Sequence, residues 1–184
     1  MKNQFVKYII KLSQIVPFCV YEILGIIFCL GSVILLAFWG LKKGIRYSSW
    51  LLVVEYVILL FSTTVLFRSY HKRLKYNLRP FWSYEAIQKG SENLLPEIIM
   101  NVVVFVPVGL LLGFASRSMT LWKVMLIGGG ISVLIEAMQF NFQRGFAEVD
   151  DVVHNVLGCM LGYGVYSIAK YGYERIDKRR VGIS

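Results

Sequence analysis

Apolar residues along this chain fall in five long runs, at about 16–39, 50–67, 97–115, 122–140 and 151–171, separated by short polar or charged stretches. Wound as helices rising about 1.5 Å per residue, all five are long enough to span the hydrocarbon core of a bilayer. Lys11 and Lys42 bound the first run, and Arg46 and Arg68 bound the second. Trp39, Trp50 and Trp122 sit at run ends, where indole rings anchor at the membrane–water boundary. The pattern predicts an all-α fold, a polytopic membrane helix bundle of about five transmembrane helices forming one domain over residues 1–184. Residues 68–96, between the second and third helices, form the one sizeable extramembrane segment. Basic and aromatic residues crowd it (R-S-Y-H-K-R-L-K-Y-N-L-R-P-F-W-S-Y-E), so it is expected to lie on the membrane as an interfacial or re-entrant piece. Pro80 and Pro96 are expected to hold the residues before them extended.

Composition supports the same class. Of 184 residues, 57% are hydrophobic and 17% charged, against about 25% charged in an ordinary soluble domain, which leaves a soluble fold short of polar surface. The formal net charge of +9 sits between the apolar runs, as flanking charges of membrane helices do, and not as a basic face interleaved with aromatics. Nucleic acid is therefore not an expected partner; membrane lipids are. Lys and Arg divide evenly across the two sides that five spans define, so the charge bias sets no orientation. The opening residues, with Lys2, Lys7 and Lys11, look like a secretory leader. The apolar run that follows is too long and has no small-residue cleavage site, so it reads as a retained first span. Cys19, Cys29 and Cys159 all lie within apolar runs and His71 and His154 stand far apart, a pattern without metal-ligand spacing. No metal or other cofactor is expected, and the thiols read as small buried hydrophobes.

The chemistry concentrates between Glu136 and Gly162. Charged and amide side chains at membrane depth are costly and usually face a protein interior or a wet cavity. At 100° per residue, Asp151, Asn155, Gly158 and Gly162 share a stripe about 60° wide, with the two glycines inviting a close helix and the acid and amide facing it. Gly129, Ser132, Glu136 and Gln139 share a face of the fourth segment. The third segment brings Asn101, the close-packing Gly109 and Gly113, and Pro107, which leaves the Val103 carbonyl in need of a donor. Ordinary interhelical hydrogen bonding accounts for Asn101 or Gln139 taken singly. A solvated loop, with Asp150 or Asp151 capping the fifth helix, accounts for one acid of the group Arg144, Glu148, Asp150 and Asp151 but not for three. Glu22 and Glu55 are lone carboxyls within apolar runs and are the weaker candidates.

These residues, taken in order, resemble the VanZ-like family of membrane proteins. The resemblance covers roughly residues 68 to 166 and is carried by Arg68, the N-L-R-P-F stretch from Asn77 to Phe81, Asn101-x3-Phe105-x-Pro107-x-Gly109, Glu136-x2-Gln139, Arg144, and Glu148-x-Asp150-Asp151-x3-Asn155-x2-Gly158-x3-Gly162-Tyr163. His154 departs from the family pattern and takes no role from it. The resemblance implies a single VanZ-like domain in the bacterial cell membrane and a candidate polar pocket made of Arg68, Asn77, Pro80, Phe81, Asn101, Pro107, Glu136, Gln139, Arg144, Glu148, Asp150, Asp151 and Asn155. The family's namesake is associated with low-level resistance to teicoplanin. The resemblance thus implies an envelope protein lowering susceptibility to lipoglycopeptides by binding a lipid, a lipid-linked cell-wall precursor or the drug's acyl chain. Two other classes stay open: a membrane enzyme using the Glu136/Asp151 cluster on a lipid-linked headgroup, with no recognised catalytic signature, and a small transporter subunit, for which assembly as a homo-oligomer would matter.

Overall fold

Glycine at position 40 decides the shape of the N-terminal third. In a computed structural model, which describes residues 17–70, 76–91 and 94–180, helix α1 (Phe18–Phe61) contains one non-helical residue, Gly40, at φ 67° and ψ 174°. An L side chain rarely adopts that backbone, and glycine adopts it freely. The two arms, Val20–Leu41 and Lys43–Leu66, fold back on each other there. Trp39 stacks against Tyr47 with ring centroids 5.3 Å apart, and a Cβ added at Gly31 would lie 2.6 Å from Leu51 Cδ2. The second arm starts at Lys43 and not near residue 50, because Lys43, Arg46 and Tyr47 remain helical beyond the apolar run and Ser49 returns its hydroxyl to the Ile45 carbonyl at 2.8 Å. Residues 1–16, with their three lysines, and His71 lie outside the described residues.

The second arm ends in one π-helical turn (Ser62–Leu66). Ser62, Thr63 and Thr64 each donate a hydroxyl back to a carbonyl, of Ile58 for the first and Leu60 for the other two. After it come strand β1 (Tyr76–Asn77), helix α2 (Trp82–Gln88), helix α3 (Leu95–Ala115), helix α4 (Leu121–Phe142), strand β2 (Ala147–Glu148) and helix α5 (Val149–Arg180). Five helices are long and apolar enough to cross a membrane, namely the two arms of α1 together with α3, α4 and α5, so the predicted all-α class and five spans hold. Pro96 sits in the first turn of α3 instead of extending Leu95, since a first-turn residue has no intrahelical use for its N–H.

Helices α3 and α5 form the tightest pair, and glycines are the reason. A Cβ at Gly158 would lie 2.1 Å from the Val102 carbonyl oxygen, one at Gly162 2.0 Å from that of Val106, and one at Gly109 1.9 Å from that of Cys159. On the other side of α5, Cys159 is fully buried against Gly128 of α4. Cys29, by contrast, is exposed on the first arm, so burial holds for Cys159 and not for Cys29. Phe105, Val108, Leu112, Val124, Ile135 and Cys159 make the apolar core with Val53, Leu60 and Val65 of the second arm. Tyr56 donates to the Val104 carbonyl at 2.8 Å, one residue beyond the carbonyl that Pro107 deprives of its donor.

At one end of the bundle the segment between α1 and α3 meets the α4–α5 turn. β1 pairs with β2 in parallel, Tyr76 opposite Ala147 and Asn77 opposite Glu148, and Tyr70 bridges to Arg144. The described parts of that segment, at Tyr70 and over residues 76–91, are therefore fastened to the protein as a cap over the polar stretch.

Candidate functional site

Under that cap the structure sorts the sequence candidates into fasteners and a cluster. Arg144 is a fastener: its Nη1 donates to the Leu66 carbonyl and, at 3.5 Å, to that of Val65, the carbonyls an ending helix leaves without partners. Gln139 does the same at 3.3 Å for Thr64. Asp150 stands in the first turn of its own helix, as expected, but its side chain caps α2 from across the fold. Its Oδ1 accepts the Phe81 N–H at 2.5 Å, while Oδ2 accepts the Ser83 N–H at 3.0 Å and the Ser83 hydroxyl at 2.5 Å. A carboxylate at a helix N-terminus is favoured by the orphan N–H groups and by the helix dipole together. Phe81 adopts φ 63°, a strained backbone for a bulky residue, held in place by that contact.

The cluster proper lies behind these fasteners. Glu136 Oε2 accepts the Glu148 backbone N–H at 2.9 Å, and Glu148 Oε2 accepts the Trp82 indole N–H at 2.8 Å. Asp151 stands beside Asn101 and within Coulombic reach of Glu97, Asp150 and Arg68. Arg68 also faces Glu136 and lies across the Gly145 backbone, where an added Cβ would come within 2.9 Å of its Nη1. Gly145 needs its φ of 100° as well as that space, so it closes the α4–α5 turn around the guanidinium. Among the described residues the ion pair is Arg79–Glu85, on the surface, so Arg68 acts on the acids without a direct bridge.

Asn155 departs from its expected direction. It donates to Ser132 Oγ of α4 at 2.8 Å and does not face α3 as the two glycines do. Three amide oxygens at this end of the bundle are buried without a donor among the described residues, Gln139 Oε1, Gln143 Oε1 and Asn155 Oδ1, while Asn101 turns towards Asp151. Among those residues no three His, Cys, Asp or Glu groups stand where they could hold a metal ion together.

The other sequence candidates are not drawn into the cluster. Asn77 touches it only through the backbone register opposite Glu148, its Oδ1 accepting the Arg79 N–H at 3.0 Å. Pro80 is exposed in the turn before α2. Pro107 lies six residues along α3 from Asn101, a rise of about 9 Å. Glu55 is buried on the second arm with Oε1 unpartnered, while Glu22 is exposed. Residues missed in the sequence include Trp82, Ser83 and Glu97, whereas Ser132 stands on the face of the fourth segment that it was expected to share with Glu136. Only Glu97 had a local signal, its position one helical turn before Asn101. His154, without an assigned role, is buried with Nε2 2.9 Å from the Tyr84 hydroxyl and Nδ1 unpartnered.

Glu148, in the α4–α5 turn, has its carboxyl pushed up from 4.5 to about 8, first by burial and then by Asp151, with the Trp82 N–H pulling the other way. The folded chain then holds this proton more tightly than the unfolded chain, so its contribution to stability is full below about pH 4.5 and is lost as pH rises towards 8. Thermal midpoints of the detergent-solubilised protein are expected to fall across that window. Glu148→Gln, which still accepts from Trp82, should be less pH-dependent and the more stable of the two at pH 8. Parallel profiles would show that Glu148 carries none of the dependence.

These features define a multi-pass, all-α membrane protein with a capped carboxyl cluster at one end. The chain belongs to the VanZ/LLP1 family, whose model matches residues 48–170 and so includes every cluster residue. It is similar to Protein VanZ of Enterococcus faecium, at 30% identity over 105 residues, covering 53% of this chain and 63% of that protein, less than two thirds of its length. No solved structure matches the chain.

Proposed function

We propose that this is a non-enzymatic protein of the bacterial cell membrane that holds the polar part of an amphiphile at the capped cluster and thereby lowers susceptibility to lipoglycopeptide antibiotics such as teicoplanin. The observation that carries this reading is the pair of buried amide oxygens on Gln139 and Asn155, on the same helix faces as Glu136 and Asp151, that meet no donor among the described residues. Buried polar atoms are normally paired, and a site that keeps several unpaired is suited to a ligand that completes them. The charge balance narrows the ligand. Arg68 faces both Glu136 and Asp151 and is engaged by them, and carboxyl and amide oxygens prevail around it, so a group rich in donors, sugar hydroxyls or an amine, is favoured. A lipid-linked cell-wall precursor or a lipoglycopeptide offers such groups on an acyl or prenyl tail, which would lie along the apolar helices.

The test is teicoplanin susceptibility of cells expressing wild type, Asp151→Asn, Glu136→Gln or Asn155→Ala at matched membrane levels. Wild type should raise the inhibitory concentration severalfold, and each variant should abolish most of that gain. Equal protection by all four would remove the cluster from the mechanism. A chelator-sensitive conversion of lipid-linked intermediates would instead favour an enzyme.

A further inference from the structure

The opposite end of the bundle has chemistry of the opposite sign. A cavity of about 240 Å³ lies between the α3–α4 turn and the outer part of α5, away from the carboxyl cluster, with Arg117, Ser167, Lys170 and Glu174 among its lining side chains. Tyr163 and Tyr166 form one wall. The Tyr163 hydroxyl is already committed to the Met119 carbonyl at 2.9 Å, and the Tyr166 ring packs edge-to-face against Phe114 with centroids 4.9 Å apart, so the wall is fixed. Arg117 and Lys170 have no carboxylate partner, and Ser167 Oγ and the Tyr166 hydroxyl no hydrogen bond, among the described residues. Glu174, the lone acid, stands one helical turn beyond Lys170, and Arg175 is occupied on the Tyr171 ring at 5.2 Å.

Depth identifies what fits. The apolar helix α3 ends at Ala115, and Trp122 is exposed just past the turn, the position of an interfacial aromatic. Val165 and Ile168 are exposed on α5 beside the cavity, towards the bilayer. A site with two free cations and two free hydroxyls, set at headgroup level above an apolar face, matches an anionic phosphodiester headgroup whose chains run down the helix. We infer that this cavity is a binding site for an anionic phospholipid headgroup, distinct from the carboxyl cluster.

The experiment uses the purified full chain in neutral detergent, titrated with dioctanoyl phosphatidylglycerol, dioctanoyl phosphatidylcholine or inorganic phosphate, with bound lipid counted by native mass spectrometry. Wild type should take one phosphatidylglycerol at about tenfold lower concentration than phosphatidylcholine, and a hundredfold excess of inorganic phosphate should not displace it. The double variant Arg117→Gln/Lys170→Gln should lose the preference, while Arg117→Lys/Lys170→Arg retains it. Both pairs lie at the exposed rim, and a monodisperse gel-filtration profile verifies folding. Equal binding of both lipids by wild type, an unchanged preference in the glutamine variant, or full displacement by inorganic phosphate would each overturn the assignment. Asp151→Asn leaves this preference intact, so failure here is separable from failure at the cluster.

Discussion

Gly162→Ala is expected to destabilise the folded protein by about 3 kcal/mol, although it adds one methyl group. The new Cβ would stand 2.0 Å from the Val106 carbonyl oxygen and 2.8 Å from the Leu110 nitrogen, both main-chain atoms of α3 that cannot rotate away. Relief requires moving α3 and α5 apart by more than about 1 Å, since a carbon settles against a carbonyl oxygen at roughly 3.3–3.6 Å. That movement loosens Phe105, Val108 and Leu112 together and draws Asn101 away from Asp151, so the apolar core and the cluster fail as one. Gly164→Ala is the control on the same helix: its added Cβ meets nothing within 4 Å, and its midpoint should equal or exceed that of wild type. Thermal midpoints in detergent, read as the monodisperse gel-filtration peak surviving heating, compare the two. Equal midpoints for both variants would mean that the helix contact is not close.

The contact between α3 and α5 was legible because helical spacing is local: Gly158 and Gly162 face one way whatever surrounds them, and Gly109 answers from α3. The same arithmetic explains the error over Asn155. Taking Asp151 as zero, Gly158 and Gly162 fall about 20° to either side and Asn155 about 40° round, the edge of the stripe, where Ser132 of α4 is the nearer partner. The apolar runs located the spans but misplaced the start of the second, because hydropathy marks the bilayer and a helix can continue beyond it with Arg46 and Ser49. The π turn had only a run of three hydroxyl residues to announce it. Least legible were the contacts between the cap and the cluster. Asp150 and Ser83 are 67 positions apart, and no local periodicity links an acid in one turn to the N–H groups of a short helix in another. Asp150, Gln139 and Arg144 stand out in the sequence as polar groups beside apolar helices, and in the structure each fastens one element to another.

Asp150→Asn is expected to cost about 3 kcal/mol and to release the cap while leaving the spans assembled. The carboxyl accepts three hydrogen bonds, from the Phe81 N–H, the Ser83 N–H and the Ser83 hydroxyl, at a site only 1% exposed. Asparagine preserves the volume but turns an NH2 group towards donors on one side, so at least one buried N–H loses its acceptor. Phe81 adds to the effect on the cap, because its left-handed backbone stays strained in the folded form and the bond that offset that strain is gone. With α2 detached, the Trp82 indole leaves Glu148 and the Tyr84 hydroxyl leaves His154. Limited proteolysis is the direct readout: residues 78–91 should be cleaved much faster in Asp150→Asn than in wild type, with α3, α4 and α5 still protected. Asp150→Asn/Phe81→Gly should recover part of the stability, since glycine adopts φ 63° without strain and Phe81 is mostly exposed. Unchanged cleavage of that segment in Asp150→Asn would show that the cap is held by something other than this carboxylate.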